Sequence, residues 1–182
     1  RIYVFSVAHP DDVACQREAH ILPPYTPEDA PRLNEHAMKV FDRMLAIADR
    51  EGLRIIVPFI DHWSWWGGRA ELAAFYGETA DDFYDTNSKT YQAYLSVIKQ
   101  IISRTNTITG RKYSEEKAVM AWETGNELKN STTDFVTQTA ALIKKLAPHQ
   151  LVVDGNYLSV LQSSVHDPNI DIISNHFYSV NH

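Results

Sequence analysis

The sequence predicts an α/β fold, a parallel sheet covered by helices, and within that class a (β/α)8 barrel of which this chain carries about five strands. Three observations lead there. Near-continuous apolar runs alternate with amphipathic helical stretches, as expected of repeated βα units whose strands are buried on both faces. The elaborate loops at 8–31, 61–87 and 124–130 all follow strands, whereas the helix-to-strand turn at Gly52 is minimal. Functional groups therefore gather at the C-terminal ends of the strands. Finally, no Gly-rich phosphate turn follows any strand, which favours the barrel over a nucleotide-binding doubly wound sheet.

Taken in order, residues 1–7, RIYVFSV, read as a buried strand because β-branched and aromatic residues run almost without a polar break. An irregular stretch carrying Pro10, Pro23, Pro24, Pro27 and Pro31 follows. Residues 32–51 show helical periodicity, with Leu33, Ala37, Val40, Phe41, Met44, Leu45 and Ala48 on one apolar stripe and Gly52 at the C-terminal stop. LRIIVPFI, 53–60, is the second strand. The Trp- and Gly-rich loop then runs to Asn87, placed to cap a helix that ends near Asn106. AVMAWE, 118–123, makes the third strand. Ser131 or Thr132 caps a helix over TDFVTQTAALIKKLA, stopped by Pro148; QLVVD is the fourth strand, and after a short helix IDIISNHF, 170–177, is the fifth.

Bulk properties narrow the function. The 182 residues are enough for a single domain with a substantial core, spanning 1–182. A formal net charge of −6, with 17 scattered Lys and Arg, argues against nucleic acid, which needs clustered cations. No apolar run approaches the roughly 20 residues of a membrane span. The single cysteine, Cys15, excludes an intrachain disulfide framework and a multi-cysteine zinc site. Because the chain begins with Arg1 inside one expected strand and stops just after another, a segment of a longer protein is expected.

The stretch richest in chemistry is VMAWETGNELKN, 119–130, which places Asn126 and Glu127 where a strand becomes a loop, the position from which barrels present catalytic groups. Asp61 and His62 end the second strand and are candidate hydroxyl-binding groups. Trp63, Trp65 and Trp66 form an aromatic loop whose rings suit the apolar faces of sugars. His176 and Tyr178, two apart, share a strand face. Glu123, four residues before Glu127 on a regular strand, would lie roughly 13 Å from it, too far for the two carboxylates to act as a pair on one bond, and a buried ion pair with Arg1 is its expected role.

Residues 81–128 resemble the endo-β-1,4-mannanases of glycoside hydrolase family 5: an Asp-Asp-Phe-Tyr start, an Arg-x-Asn-x-x-Thr-Gly turn and an Ala-Trp-Glu strand ending in Asn-Glu. IIVPFIDHWSWWGG, 55–68, is similar to the family's third strand and Gly-Gly loop, and NHFYSV, 175–180, to its sixth. The resemblance implies a clan A retaining enzyme acting on a β-linked polysaccharide, needing no metal or organic cofactor and secreted because its polymer lies outside the cell. It further implies Glu127 as general acid/base, Asn126 holding the sugar 2-hydroxyl and the nucleophile, and Arg1, His176 and Tyr178 in the active site. The nucleophile belongs on a seventh strand beyond residue 182, so the isolated segment is expected to be inert and to need the rest of the barrel. Two departures stand out: Leu128-Lys129 replaces the usual Pro-Arg after Asn-Glu, and VVDGNY replaces a strand often ending in Glu-Gly.

Two rival readings remain. One is a non-catalytic barrel that only binds glycans. The other starts from VAHPDDVA, 7–14, which resembles the metal-binding opening of zinc-dependent LmbE/PIG-L deacetylases; yet Val13 follows Asp12 where that pattern has Glu, and CQREAHILPPY lacks its glycines. The eight histidines show no His-x-x-x-His pair, and no metal is expected.

Overall fold

The computed structural model describes residues 1–176 and Tyr178. Its centre is a parallel sheet in the order β3-β4-β5, formed by β3 (Ile55–Pro58), β4 (Val119–Glu123) and β5 (Leu151–Val153). Helices α1 (Glu35–Arg50), α3 (Lys89–Ser103), α4 (Thr133–Leu146) and the short α5 (Gln162–His166) alternate with these strands, as the βα pattern requires. A two-residue antiparallel pair, β1 (Ile21–Leu22) and β2 (Arg32–Leu33), precedes them, and α2 (Arg69–Ala74) lies between β3 and α3.

Both outer strands expected from sequence are reduced. The segment 1–7 runs beside β3, held there by Ile2 N donating to Ile56 O at 3.1 Å, and meets Ile21 through a parallel bridge from Val7, without forming a regular ladder. In 170–177 the pairing narrows to one bridge, Ile172 with Val153. Part of the reason is a side chain: Asp171 Oδ2 accepts from Val152 N at 2.8 Å, so a carboxylate takes the donor that a strand carbonyl would otherwise take. Phe177, the last residue of that expected strand, lies outside the described residues.

Helix ends follow local chemistry. Helix α1 begins at Glu35 because Asn34 caps it by accepting from His36 N, while Arg32 and Leu33 are drawn into β2. It stops in a Schellman motif: Leu53 N donates to Ala48 O at 2.8 Å and Gly52 N to Asp49 O at 3.1 Å, with Gly52 at φ +71°. Its buried stripe is rotated slightly from expectation, since Met38 and Asp42 face inward and Val40 is exposed. Helix α3 is capped by Ser88, whose Oγ accepts from Tyr91 N, and not by Asn87; Thr132 caps α4 through Phe135 N. The loop expected over 61–87 contains α2 and two 3₁₀ turns, each too short to produce a readable period.

The core is continuous from the 1–7 segment to α4. Trp122 of β4 stacks on Phe59 at 5.0 Å between centroids, and its Nε1 donates to Gln150 Oε1 at 2.6 Å, so a fully buried indole keeps its partner. The Arg-x-Asn-x-x-Thr-Gly turn serves the framework on the side away from the strand ends' carboxylates. Asn106 Oδ1 accepts from Ile108 N and Thr109 N, its Nδ2 donates to Asp42 O, and Arg104 pairs with the buried Asp42. No helix of the described residues is long and apolar enough to cross a membrane.

Two glycines bring the Trp loop back over the strand ends. Gly67 has φ +76°, its carbonyl accepts from Val7 N, and a Cβ there would lie 1.9 Å from Val7 O. A Cβ on Gly68 would lie 2.3 Å from Asp61 O. Only the missing side chains let this loop close against 7 and 61.

Candidate active site

Past Pro58 and Glu123 the neighbouring chains stay paired for a few residues: Asn126 N donates to Ile60 O at 2.7 Å, His62 N to Asn126 O at 3.0 Å, and Asp61 bridges Asn126. Thus Asp61, Asn126 and Glu127 are delivered side by side at the C-terminal ends of adjacent strands. Glu127 itself has φ +56°, a left-handed conformation that costs a residue with a Cβ on the order of 1–3 kcal/mol and recurs where a side chain must be aimed.

Glu127 receives donors from two other parts of the chain. Trp63 Nε1 donates to Oε2 at 2.6 Å, Tyr178 Oη donates to Oε1 at 2.5 Å, and His176 Nδ1 lies 3.4 Å from Oε1. The other nitrogen of the same imidazole, Nε2, lies 3.2 Å from Glu123 Oε1. One ring therefore spans both carboxylates, which corrects the 13 Å separation expected for a regular strand. The left-handed turn at Glu127 folds its side chain back towards Glu123.

Glu123 is buried and takes Arg1 Nε on its second oxygen at 2.6 Å, the ion pair expected from sequence. Arg1 Nη2 also donates to Asn126 Oδ1 at 2.8 Å, and Asn126 Nδ2 donates to Asp61 Oδ1 at 2.8 Å. Because an ionised carboxylate only accepts and a guanidinium only donates, the two partners fix which end of the Asn126 amide is oxygen. Asp61 completes the chain by accepting from Tyr3 Oη.

Electrostatics follow the same contacts. Burial raises the Glu127 pKa, but the bonds from Tyr178, Trp63 and His176 outweigh it, and the carboxyl falls below its ordinary range. Asp61 shifts the other way, raised chiefly by burial despite its hydrogen bonds. His62 is lowered to about 4, first by burial and then by Arg69 and Lys129 nearby. Its Nδ1 accepts from Arg69 Nε at 3.1 Å and from Lys129 N at 3.3 Å, so a neutral ring carries its proton on Nε2.

The candidate residues thus divide. Arg1, Asn126, Glu127, His176, Tyr178, Asp61 and Trp63 form one connected cluster. Asp61 is fully buried with protein donors on both oxygens, which places it behind Asn126 and not on a hydroxyl-binding face. His62 turns towards Arg69, Tyr84 and Lys129 while packing edge-on against Trp63 at 4.7 Å. Trp65 is 66% exposed and packs on Tyr3 at 5.3 Å, offering an open ring at the rim. Trp66 is partly buried beneath the Arg17 guanidinium at 4.9 Å. Tyr3 and Tyr157, which packs edge-on to Trp63 at 6.0 Å, belong to the same neighbourhood and carry no motif that singles them out.

The octet 7–14 has a local job. His9 Nδ1 accepts from Asp11 N at 3.0 Å, Asp12 Oδ2 accepts from His9 N at 3.0 Å, and Asp12 is ion-paired with Arg17. These are the reciprocal bonds of a helix cap on the 3₁₀ turn 10–12, and they give His9 Nδ1 and Asp12 a structural role.

Comparison with known proteins bears on the family and the fold. The chain is 32% identical over 126 residues to mannan endo-1,4-β-mannosidase F of Aspergillus clavatus, covering 66% of this chain and 27% of that protein. It therefore spans about a quarter of the length of that relative. Two solved structures from Rhizomucor miehei superpose on nearly all of it. The glycoside hydrolase family 5 mannosidase does so with TM-score 0.77 and 23% identity over 98% of this chain and 48% of that one. The endo-1,4-β-mannanase gives TM-score 0.81 and 17% identity over 97% and 57%. The fold is accordingly that of part of a (β/α)8 barrel. The family model described as GH family 5 β-mannosidase-like matches residues 12–182, and the chain belongs to that family.

Proposed function

We propose that the protein carrying this chain is a retaining glycoside hydrolase that cleaves β-1,4-mannosidic bonds, and that residues 1–182 supply the acid/base half of its active site. The observation that supports this most is Glu127 itself: a partly exposed carboxylate at the end of a barrel strand, turned by a left-handed backbone and held by Trp63 and Tyr178. Glu127 protonates the leaving oxygen in the first step and takes a proton from water in the second. Glu123 is a poor nucleophile for that cycle, because it is buried and tied to Arg1 and His176. The second carboxylate is supplied from outside this chain, about 5–5.5 Å from Glu127 in a retaining enzyme.

Mannan is favoured over other β-linked polymers by the relatives' activity, mannan endo-1,4-β-mannosidase. The exposed rings of Trp63, which donates to Glu127, and of Trp65, at the rim, suit the apolar faces of a sugar chain. A polymer of that kind lies outside cells, which supports a secreted protein. The test is anomeric: full-length protein acting on β-1,4-mannooligosaccharide, followed by proton NMR from the first minutes, is expected to release the β-anomer first. Initial release of the α-anomer, or glycan binding with no cleavage, would contradict the proposal, the latter in favour of a binding barrel.

A further inference from the structure

The groups that touch Glu127 differ in what they can do with a proton. Tyr178 Oη, 2.5 Å from Oε1, can turn its hydrogen away and accept instead, and a neutral His176 ring has one bare nitrogen. The Oε1 side can therefore face either a carboxylate or a protonated carboxyl. The indole of Trp63, 2.6 Å from Oε2, donates only. A proton on Oε2 along that direction would set two hydrogens against each other.

We propose that Trp63 is the positioning residue of the acid/base: its N–H keeps Oε2 an acceptor throughout the cycle, so that the transferred proton is carried on Oε1. This rests on Glu127 being the acid/base. In the first step the Oε1 proton passes to the leaving oxygen as the glycosidic C–O bond breaks and the second carboxylate bonds to the anomeric carbon. In the second, water gives a proton back to Oε1 while its oxygen bonds to that carbon and the carboxylate leaves.

The seat of Trp63 suits a fixed pointer better than a loose platform. Its backbone N donates to Asp61 Oδ1 at 3.3 Å, its ring is braced edge-on by His62 at 4.7 Å and Tyr157 at 6.0 Å, and Gly67 and Gly68 lock the loop behind it. Among the described residues, the other ionisable groups around Glu127 include Tyr178 and His176 in contact, Glu123 across the His176 ring, Arg1 and Tyr157 beside Tyr178, Tyr3 of the 1–7 segment, and Asp61, His62 and Lys129 on the strand ends and the following loop.

Trp63→Phe in the full-length protein keeps an aromatic ring and removes the N–H. Loss of a donor that favours the ionised carboxyl raises its pKa. The alkaline limb of kcat/KM on β-1,4-mannooligosaccharide, which reports the acid in the free enzyme, is therefore expected to move up by about one pH unit. A purely structural role would lower kcat/KM at every pH and leave the limb in place. The second measurement needs no Trp63 variant: the indole ¹H–¹⁵N resonance of Trp63 is expected to titrate with the same midpoint as the limb and to lose that titration in Glu127→Gln. An unmoved limb, or a Trp63 resonance blind to that midpoint, overturns the assignment even when Glu127→Gln abolishes mannan hydrolysis. If Glu127→Gln leaves hydrolysis intact, the acid/base reading itself falls.

Discussion

Glu127→Gln in the full-length protein is expected to lower kcat on β-1,4-mannan by about 10²–10⁴-fold, the usual contribution of one positioned acid or base. The substitution is nearly isosteric, and its geometry can survive. The amide oxygen can replace Oε2 as acceptor for Trp63 Nε1, while Tyr178, free to rotate its hydroxyl, can accept from the amide nitrogen. What is lost is the dissociable proton, not the shape of the site. An unchanged thermal midpoint beside the fallen kcat would show this. Wild-type turnover in the variant would mean that another group protonates the leaving oxygen.

The largest stability effect is expected far from the carboxylates, at Asp42. It is fully buried on α1 and accepts from Arg104 Nε at 3.2 Å and Nη2 at 3.0 Å, Tyr113 Oη at 2.5 Å, and Thr107 N and Oγ1 at 3.2 and 2.8 Å. Asp42→Ala would leave a buried phenol without its acceptor and the largely buried Arg104 guanidinium with only the exposed Glu35, at 2.7 Å, as carboxylate partner. The expected loss is about 3–5 kcal/mol, read from urea unfolding of the full-length protein. The pH dependence carries the same signature. Burial raises the Asp42 pKa, but Arg104, Tyr113 and Thr107 more than offset it, so the folded value lies below the ordinary one. Its contribution is therefore present above the unfolded pKa near 3.9 and is lost as pH falls through the folded pKa. The variant should lack that part of the acid destabilisation. A ΔΔG below about 1 kcal/mol would show that the network is dispensable.

The sequence exposed the parts of this molecule governed by local chemistry. The alternation of apolar runs with helical stripes placed β3, β4, β5, α1, α3 and α4 close to their observed bounds, because those elements bury a periodic face. Errors arise where a tertiary partner overrides the pattern. Asp42 turns inward on α1 only because Arg104, 62 residues away, meets it, and no stripe of apolar residues foretells that. The segment 1–7 looks like a strand in composition, yet its ladder with β3 is reduced to a single backbone bond.

The site shows the same division. Asn126 and Glu127 were visible as a strand-end pair within a recognisable motif, and the Arg1–Glu123 pair followed from burial of a strand carboxylate. Three features were not readable. The left-handed turn at Glu127 brings it within reach of the ring that also contacts Glu123. Tyr3 joins the cluster through its bond to Asp61. The indole of Trp63 touches the Glu127 carboxylate, whereas composition had offered it only as a sugar platform. Each depends on a long-range approach that spacing does not encode.

The central claim is that Glu127 is the acid/base of a double displacement, and azide tests it most directly. Full-length Glu127→Ala, given a β-mannoside with an activated aryl leaving group, needs no acid to form the glycosyl-enzyme and lacks only the base that completes turnover. Added azide, a nucleophile that needs no base, is expected to restore turnover and to yield β-mannosyl azide. A folded variant whose turnover ignores azide, or which yields the α-azide, would contradict the account.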